Sequence, residues 1–137
     1  MEWIKFNKQV LALIVPAEYN PDASEFITPD TYNQQIGFIV YPIDGEIVPH
    51  IHEAIERSIK GTSEVLLIRN GHCWVDFYLD DESFYCSREL KTGDILGLYS
   101  GGHGFRMIEK TTFIEVKQGP YSGKQEKQRF SASNNSG

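Results

Sequence analysis

The sequence has little cysteine, no long apolar run and no cluster of basic residues. Cys73 and Cys86 are too few and too far apart to indicate a disulfide framework or a CxxC redox pair, so we expect both to be reduced. No apolar run approaches the roughly 20 residues of a membrane-spanning helix. Scattered Lys and Arg residues in a chain of formal charge −6 argue against nucleic-acid binding. The start, MEWIKFNK, lacks signal-peptide features, and we therefore expect a cytoplasmic protein.

Helical periodicity is also scarce, whereas strand signals recur along the chain. Residues 37–118 contain short β-branched and aromatic runs, among them EVLLIRNG, HCWVDFY and TTFIEVKQ. They are separated by turn sequences such as RNG, LDDES and KTGD. This pattern predicts an all-β protein with an antiparallel sandwich or barrel. The exception is HEAIERSIK, residues 52–60, where the sequence is compatible with one short helical turn or an irregular loop.

The two ends of the chain differ from this central region. Residues 1–36 predict one or two peripheral strands, EWIKF and VLALIV, followed by an extended loop, all packed on a barrel of residues 37–130. Residues 131–137 are small and polar, which predicts a disordered tail. An exposed apolar N-terminal segment would also allow a homodimer to form by strand addition or swapping.

One set of side chains carries recognisable metal chemistry. His50 and His52 lie two positions apart, so on an extended strand they project from the same face. Glu64 shares its strand face with Leu66 and Ile68, which predicts an interior carboxylate whose burial is costly without a cation. His103 follows in a glycine-rich segment. Three imidazoles and one carboxylate suit Fe, Mn, Ni, Zn or Cu as a divalent ion, and the lack of thiolate ligands argues against a structural zinc site.

These residues occur in two stretches that resemble the motifs of the cupin superfamily. GEIVPHIH…EVLLIRNG, residues 45–71, is similar to the first motif, and GDILGLYSGGHGFRM, residues 93–107, is similar to the second. The resemblance spans roughly residues 37–118 and implies a jelly-roll barrel that holds one metal ion through His50, His52, Glu64 and His103. The chain departs from the pattern in the 11 residues between His52 and Glu64, and in a second motif with Ser-Gly-Gly for Pro-x-Gly and no late Asn.

The long insertion introduces a rival carboxylate. Glu56 stands at the usual short distance after the His pair, and in a helical turn it would share a face with His52. We choose Glu64 because its spacing to Gly71 matches the first motif and its strand context directs it to the interior. Glu53 and Glu56 have solvated neighbours and are expected to face water.

Two further residues are candidates for substrate binding. Arg57 lies in the insertion and could bind an anionic substrate, although pairing with Glu53 or Glu56 on a solvated surface is the commoner arrangement. Gln118 ends the closing strand, FIEVKQ, and could reach the pocket.

The resemblance implies several functions without selecting one. A metal-dependent enzyme acting on a small polar molecule is our leading hypothesis, with a non-haem metal oxygenase first. A metal-dependent sugar or sugar-phosphate isomerase or epimerase is the second hypothesis, and a non-catalytic ligand-binding or regulatory cupin the third.

Overall fold

The computed structural model describes residues 1–123 and 126–132, and its regular elements are β-strands. The strands are β1 (Glu2–Phe6), β2 (Gln9–Val15), β3 (Glu25–Phe26), β4 (Gly37–Phe38), β5 (Glu64–Asn70), β6 (His72–Tyr78), β7 (Phe84–Lys91), β8 (Ile95–Leu98), β9 (Gly102–Met107) and β10 (Thr112–Lys117). The predicted all-β class is confirmed. The alternative of a short helix in residues 53–63 is wrong, because these residues form an irregular loop. Nowhere in the described chain is there a helix with the length and apolar character that a bilayer crossing requires.

The chain divides into two compact units. The larger unit combines Met1–Glu18 with the described residues from Thr62 onwards, and the smaller unit is Tyr19–Gly61. The two units are groups of residues that lie close together in space. The boundaries predicted from the sequence, after residues 36 and 130, were instead placed where the composition of the chain changes. Residues 133–137, most of the predicted disordered tail, lie outside the described residues.

The larger unit contains two antiparallel sheets. The first has the strand order β1-β2-β8-β5-β10, and the second has the order β7-β6-β9. The buried core combines residues of both sheets, including Leu66 and Leu96 of the first and Val75 and Phe77 of the second. Two antiparallel layers with apolar inner faces bury a continuous core in this way. The antiparallel class is confirmed, while closure into a jelly-roll barrel stays a prediction.

Strand alternation and turn chemistry explain the local structure. Cys73 is fully buried beside Val75 and Phe77, as alternation along β6 predicts, and both cysteines are free. The predicted turn sequence LDDES joins β6 to β7 in a hairpin, where the backbone N–H of Leu79 donates to Ser83 O at 2.9 Å. The sequence placed β2 at the periphery, but it lies between β1 and β8.

The smaller unit has little regular structure. β3 and β4 form its one short ladder within the described chain. Next to that ladder, the backbone N–H of Ile36 donates to the buried hydroxyl of Thr28 at 3.0 Å. Residues 39–61 form no strand, and several of their isoleucines are exposed, including Ile43 at 92% and Ile51 at 89%.

Candidate metal centre

Glu64 is a buried carboxylate at the start of β5. It shares its strand face with Leu66 and Ile68, which are also buried, so the predicted interior orientation is confirmed. Only 8% of Glu64 is exposed. Burying an anion is costly unless a cation or a hydrogen-bond donor lies beside it. The groups around Glu64 therefore determine whether its carboxyl group is ionised.

His103 supplies that partner from the second sheet. Its Nε2 lies 3.3 Å from Glu64 Oε2, and 34% of the imidazole side chain remains exposed. Lys117 Nζ lies 4.0 Å from the other carboxylate oxygen. The nearby His103 ring lowers the pKa of Glu64, with smaller contributions from charges such as Lys117, although burial acts in the opposite direction. The carboxylate is therefore ionised at neutral pH.

The strand β9 holds His103 in place through its pairing with β6. His103 stands opposite Phe77, and three residues further along β9 Arg106 stands opposite Trp74. The guanidinium of Arg106 donates two hydrogen bonds to the buried carboxylate of Asp76, at 2.7 and 2.8 Å. These bonds hold the pKa of Asp76 below its ordinary value. They anchor β9 to β6 and so fix the backbone that carries His103.

His50 and His52 lie together in the loop of the smaller unit. Their ring centroids are 5.0 Å apart with an interplanar angle of 73°. His50 Nδ1 lies 2.9 Å from the carbonyl oxygen of Val48. Since a carbonyl oxygen only accepts, this contact requires a protonated Nδ1 and leaves the Nε2 of a neutral ring with its lone pair. Metal-binding histidines commonly have their second nitrogen held in this way.

The four sequence-predicted ligands thus form two pairs, one in each unit. Within residues 1–123 and 126–132, no group of three or more His, Cys, Asp or Glu side chains is placed to hold a metal ion. The rival carboxylates Glu53 and Glu56 are both exposed, as expected from their solvated neighbours.

The spacing within each pair fits ligands of a single ion. Two ligand atoms about 2.0–2.2 Å from an ion, at angles between octahedral and tetrahedral, lie about 2.8–3.5 Å apart. The 3.3 Å between His103 and Glu64 falls in this range. By the same reasoning, two imidazoles on one ion have centroids about 4.5–5.2 Å apart. The 5.0 Å between His50 and His52 also agrees.

The substrate candidates have different surroundings. Gln118 hydrogen-bonds Ser63, accepting from its backbone N–H at 2.7 Å and donating to its hydroxyl at 3.1 Å. Arg57 lines a polar cavity in the smaller unit and, among the described residues, forms no ion pair with Glu53 or Glu56.

Lys117 is the residue beside Glu64 that the sequence reasoning missed. β10 pairs with β5 so that Lys117 stands opposite Glu64, and Phe113 of the same face packs on the core. From the sequence, the next residue, Gln118, was chosen as the pocket residue of this strand, and Lys117 was assigned no role.

Comparison with protein-family models, with curated proteins and with solved structures gave no match. The interpretation of the site therefore depends on the chemistry of its residues and on the spacings described above.

Proposed function

We propose that the chain binds one divalent metal ion through His50, His52, Glu64 and His103 and uses it in catalysis on a small polar molecule. The observation that carries the proposal is the buried Glu64 carboxylate, which lies 3.3 Å from the His103 imidazole. An oxygen and a nitrogen donor at that separation suit neighbouring positions on one ion. The 5.0 Å spacing of His50 and His52 and the tautomer required by Val48 support the second half of the ligand set.

The residues of the chain would have separate roles in this centre. Glu64 supplies the negative charge, and its lowered pKa keeps it in the ligating form at neutral pH. Lys117, 4.0 Å from Glu64, offsets part of that charge. A bound ion of this class supplies Lewis acidity or, if it is redox-active, a centre for dioxygen chemistry. Three imidazoles and one carboxylate leave two octahedral positions for exogenous ligands, which favours an oxygenase as the first hypothesis.

The test reconstitutes metal-stripped protein under nitrogen with Fe(II), Mn(II), Ni(II), Cu(II) or Zn(II). Aromatic diols, thiol acids and keto-sugars are then supplied with and without air. We expect turnover that requires both iron and air and that falls by at least about 100-fold in Glu64→Gln. His72→Gln is the matched control, because His72 lies outside the proposed set and should retain activity.

The other outcomes separate the competing functions. Turnover with Zn(II) or Mn(II) under nitrogen would overturn the oxygenase and support an isomerase or epimerase, since a redox-inert ion suffices to polarise a carbonyl. Tight retention of an unreacted small molecule would support a ligand-binding protein. Equal activity in the wild type and Glu64→Gln would contradict the proposed centre itself.

A further inference from the structure

The surface of the smaller unit has a polar cavity that is open to solvent, and most of its lining residues are exposed. Its volume is about 530 Å³, and residues of the segment 30–35 line one part of it, while Arg57 and Ser58 line another. Small-molecule sites have volumes of about 300–1,000 Å³. Most such sites are lined by apolar groups, whereas this lining is made of charged, amide and hydroxyl side chains, so the cavity suits a polar ligand.

Hydrogen bonds fix the wall formed by the segment 30–35. The backbone N–H of Tyr32 donates to Pro29 O at 3.0 Å, and the side-chain amide of Gln35 donates to the same carbonyl at 3.0 Å. At the base of this loop, the backbone N–H of Ile27 donates to Ile36 O at 2.9 Å. The loop is thus closed on itself, and a ligand would meet a preformed wall.

Two opposite charges line this cavity without pairing. Asp30 and Arg57 both contribute to its surface. Within the described part of the chain, neither forms an ion pair with any residue. A guanidinium presents a planar fork of donors that matches a carboxylate, and an aspartate accepts hydrogen bonds from an ammonium group. The complementary ligand therefore carries a carboxylate and an ammonium group on one small molecule.

We propose that this cavity binds a small zwitterion of the amino-acid type. Arg57 pairs with the ligand carboxylate, and Asp30 pairs with its ammonium group. The neutral side chains Thr31, Asn33 and Ser58 provide hydrogen bonds to polar atoms of the ligand. The proposal does not depend on the metal centre, because Asp30 and Arg57 are not among its ligands.

Calorimetric titration of the full chain in the presence of a chelator tests this proposal separately from metal binding. The probes are serine, glutamine and tryptophan, each compared with its decarboxylated amine and its deaminated acid. At least one amino acid should bind at least about tenfold more tightly than both derivatives, since each derivative lacks one of the two charges. Arg57→Gln and Asp30→Asn should each weaken that binding by at least about tenfold.

Arg69→Gln is the matched control, since Arg69 is an exposed arginine near the end of β5 and is not among the residues that line this cavity. Circular dichroism of each variant confirms that it is folded. The proposal is wrong if no amino acid binds more tightly than about 10 mM, or if the deaminated acid binds as well as its parent. Unchanged binding by Arg57→Gln would contradict it equally, whether or not the chain binds metal.

Discussion

At the scale of the single residue, Glu64 combines burial with charge. A glutamate residue that is only 8% exposed would normally have its carboxyl group protonated or paired. Here His103 Nε2 and Lys117 Nζ lie 3.3 and 4.0 Å from its two oxygens. The pKa of Glu64 therefore falls below its ordinary value of 4.5 despite its burial. This shift links the candidate site to the stability of the fold.

The direction of the shift predicts how stability depends on pH. Because the folded pKa is lowered, ionised Glu64 stabilises the fold above the unfolded pKa near 4.5, and that stabilisation is lost as the pH falls through the folded pKa. At pH 6, Glu64→Gln should lower the free energy of unfolding by about 1–3 kcal/mol, since it removes a charged hydrogen-bond acceptor from a buried site. Urea denaturation from pH 6 down to pH 3 measures the difference, which should shrink toward the acid end.

The matched control is Glu115→Gln, which removes an exposed carboxylate on β10. It should leave the free energy of unfolding within about 0.5 kcal/mol of the wild type. If the difference between Glu64→Gln and the wild type stays constant from pH 6 to pH 3, the proposed role of the ionised carboxylate is wrong.

Residue-level prediction from the sequence succeeded where alternation and burial agree. Glu64 lies in phase with two buried aliphatic residues of β5, and it is buried. Lys117 was missed because its position depends on the pairing of β10 with β5, residues about 50 positions apart in sequence, which a local pattern does not contain. The immediate partner of Gln118, Ser63, depends on the same long-range pairing.

At the scale of the element, Gly71 is the only residue between β5 and β6. Its φ of 118° lies in a region that L side chains rarely adopt. A Cβ at this position would also lie 2.5 Å from Thr111 Oγ1 and 2.6 Å from Thr111 Cα. Glycine at position 71 therefore allows both the one-residue connection between β5 and β6 and the close approach of the backbone at Thr111.

Gly71→Ala should destabilise the protein. Backbone strain and the contact with Thr111 both oppose the added methyl group, for which we expect a loss of about 1–3 kcal/mol in the free energy of unfolding. Gly104→Ala is the control, because a Cβ there meets only Tyr78, at 3.9 Å. Urea denaturation measures both variants, and equal stability of the two would contradict this account of the turn.

The helical alternative for residues 52–60 failed for a physical reason. A helix of about nine residues is marginal unless its apolar face packs on other elements. Ile51, Ile55 and Ile59 are all exposed, so no such packing is available to them. The strands were predicted more reliably because their alternation is satisfied by a core that both sheets share.

At the scale of the whole molecule, composition and turn chemistry predicted the class but not the topology. β2 pairs with β8, so Ala12 stands opposite Leu98. Such pairings join segments that are remote in sequence, and no local signal specifies them. The same limit applies to the four predicted ligands, since His50 and His52 belong to one compact unit and Glu64 and His103 to the other.

The central claim is that one ion takes donors from both pairs. The most direct measurement is calorimetric titration of the metal-free chain with Zn(II) or Mn(II), together with the metal content of the loaded protein. We predict one ion per chain, with affinity reduced at least about tenfold in His50→Ala and also in Glu64→Gln. His72→Gln should bind as the wild type does. Binding that survives either substitution unchanged, or metal bound equally weakly by all four proteins, would contradict the claim.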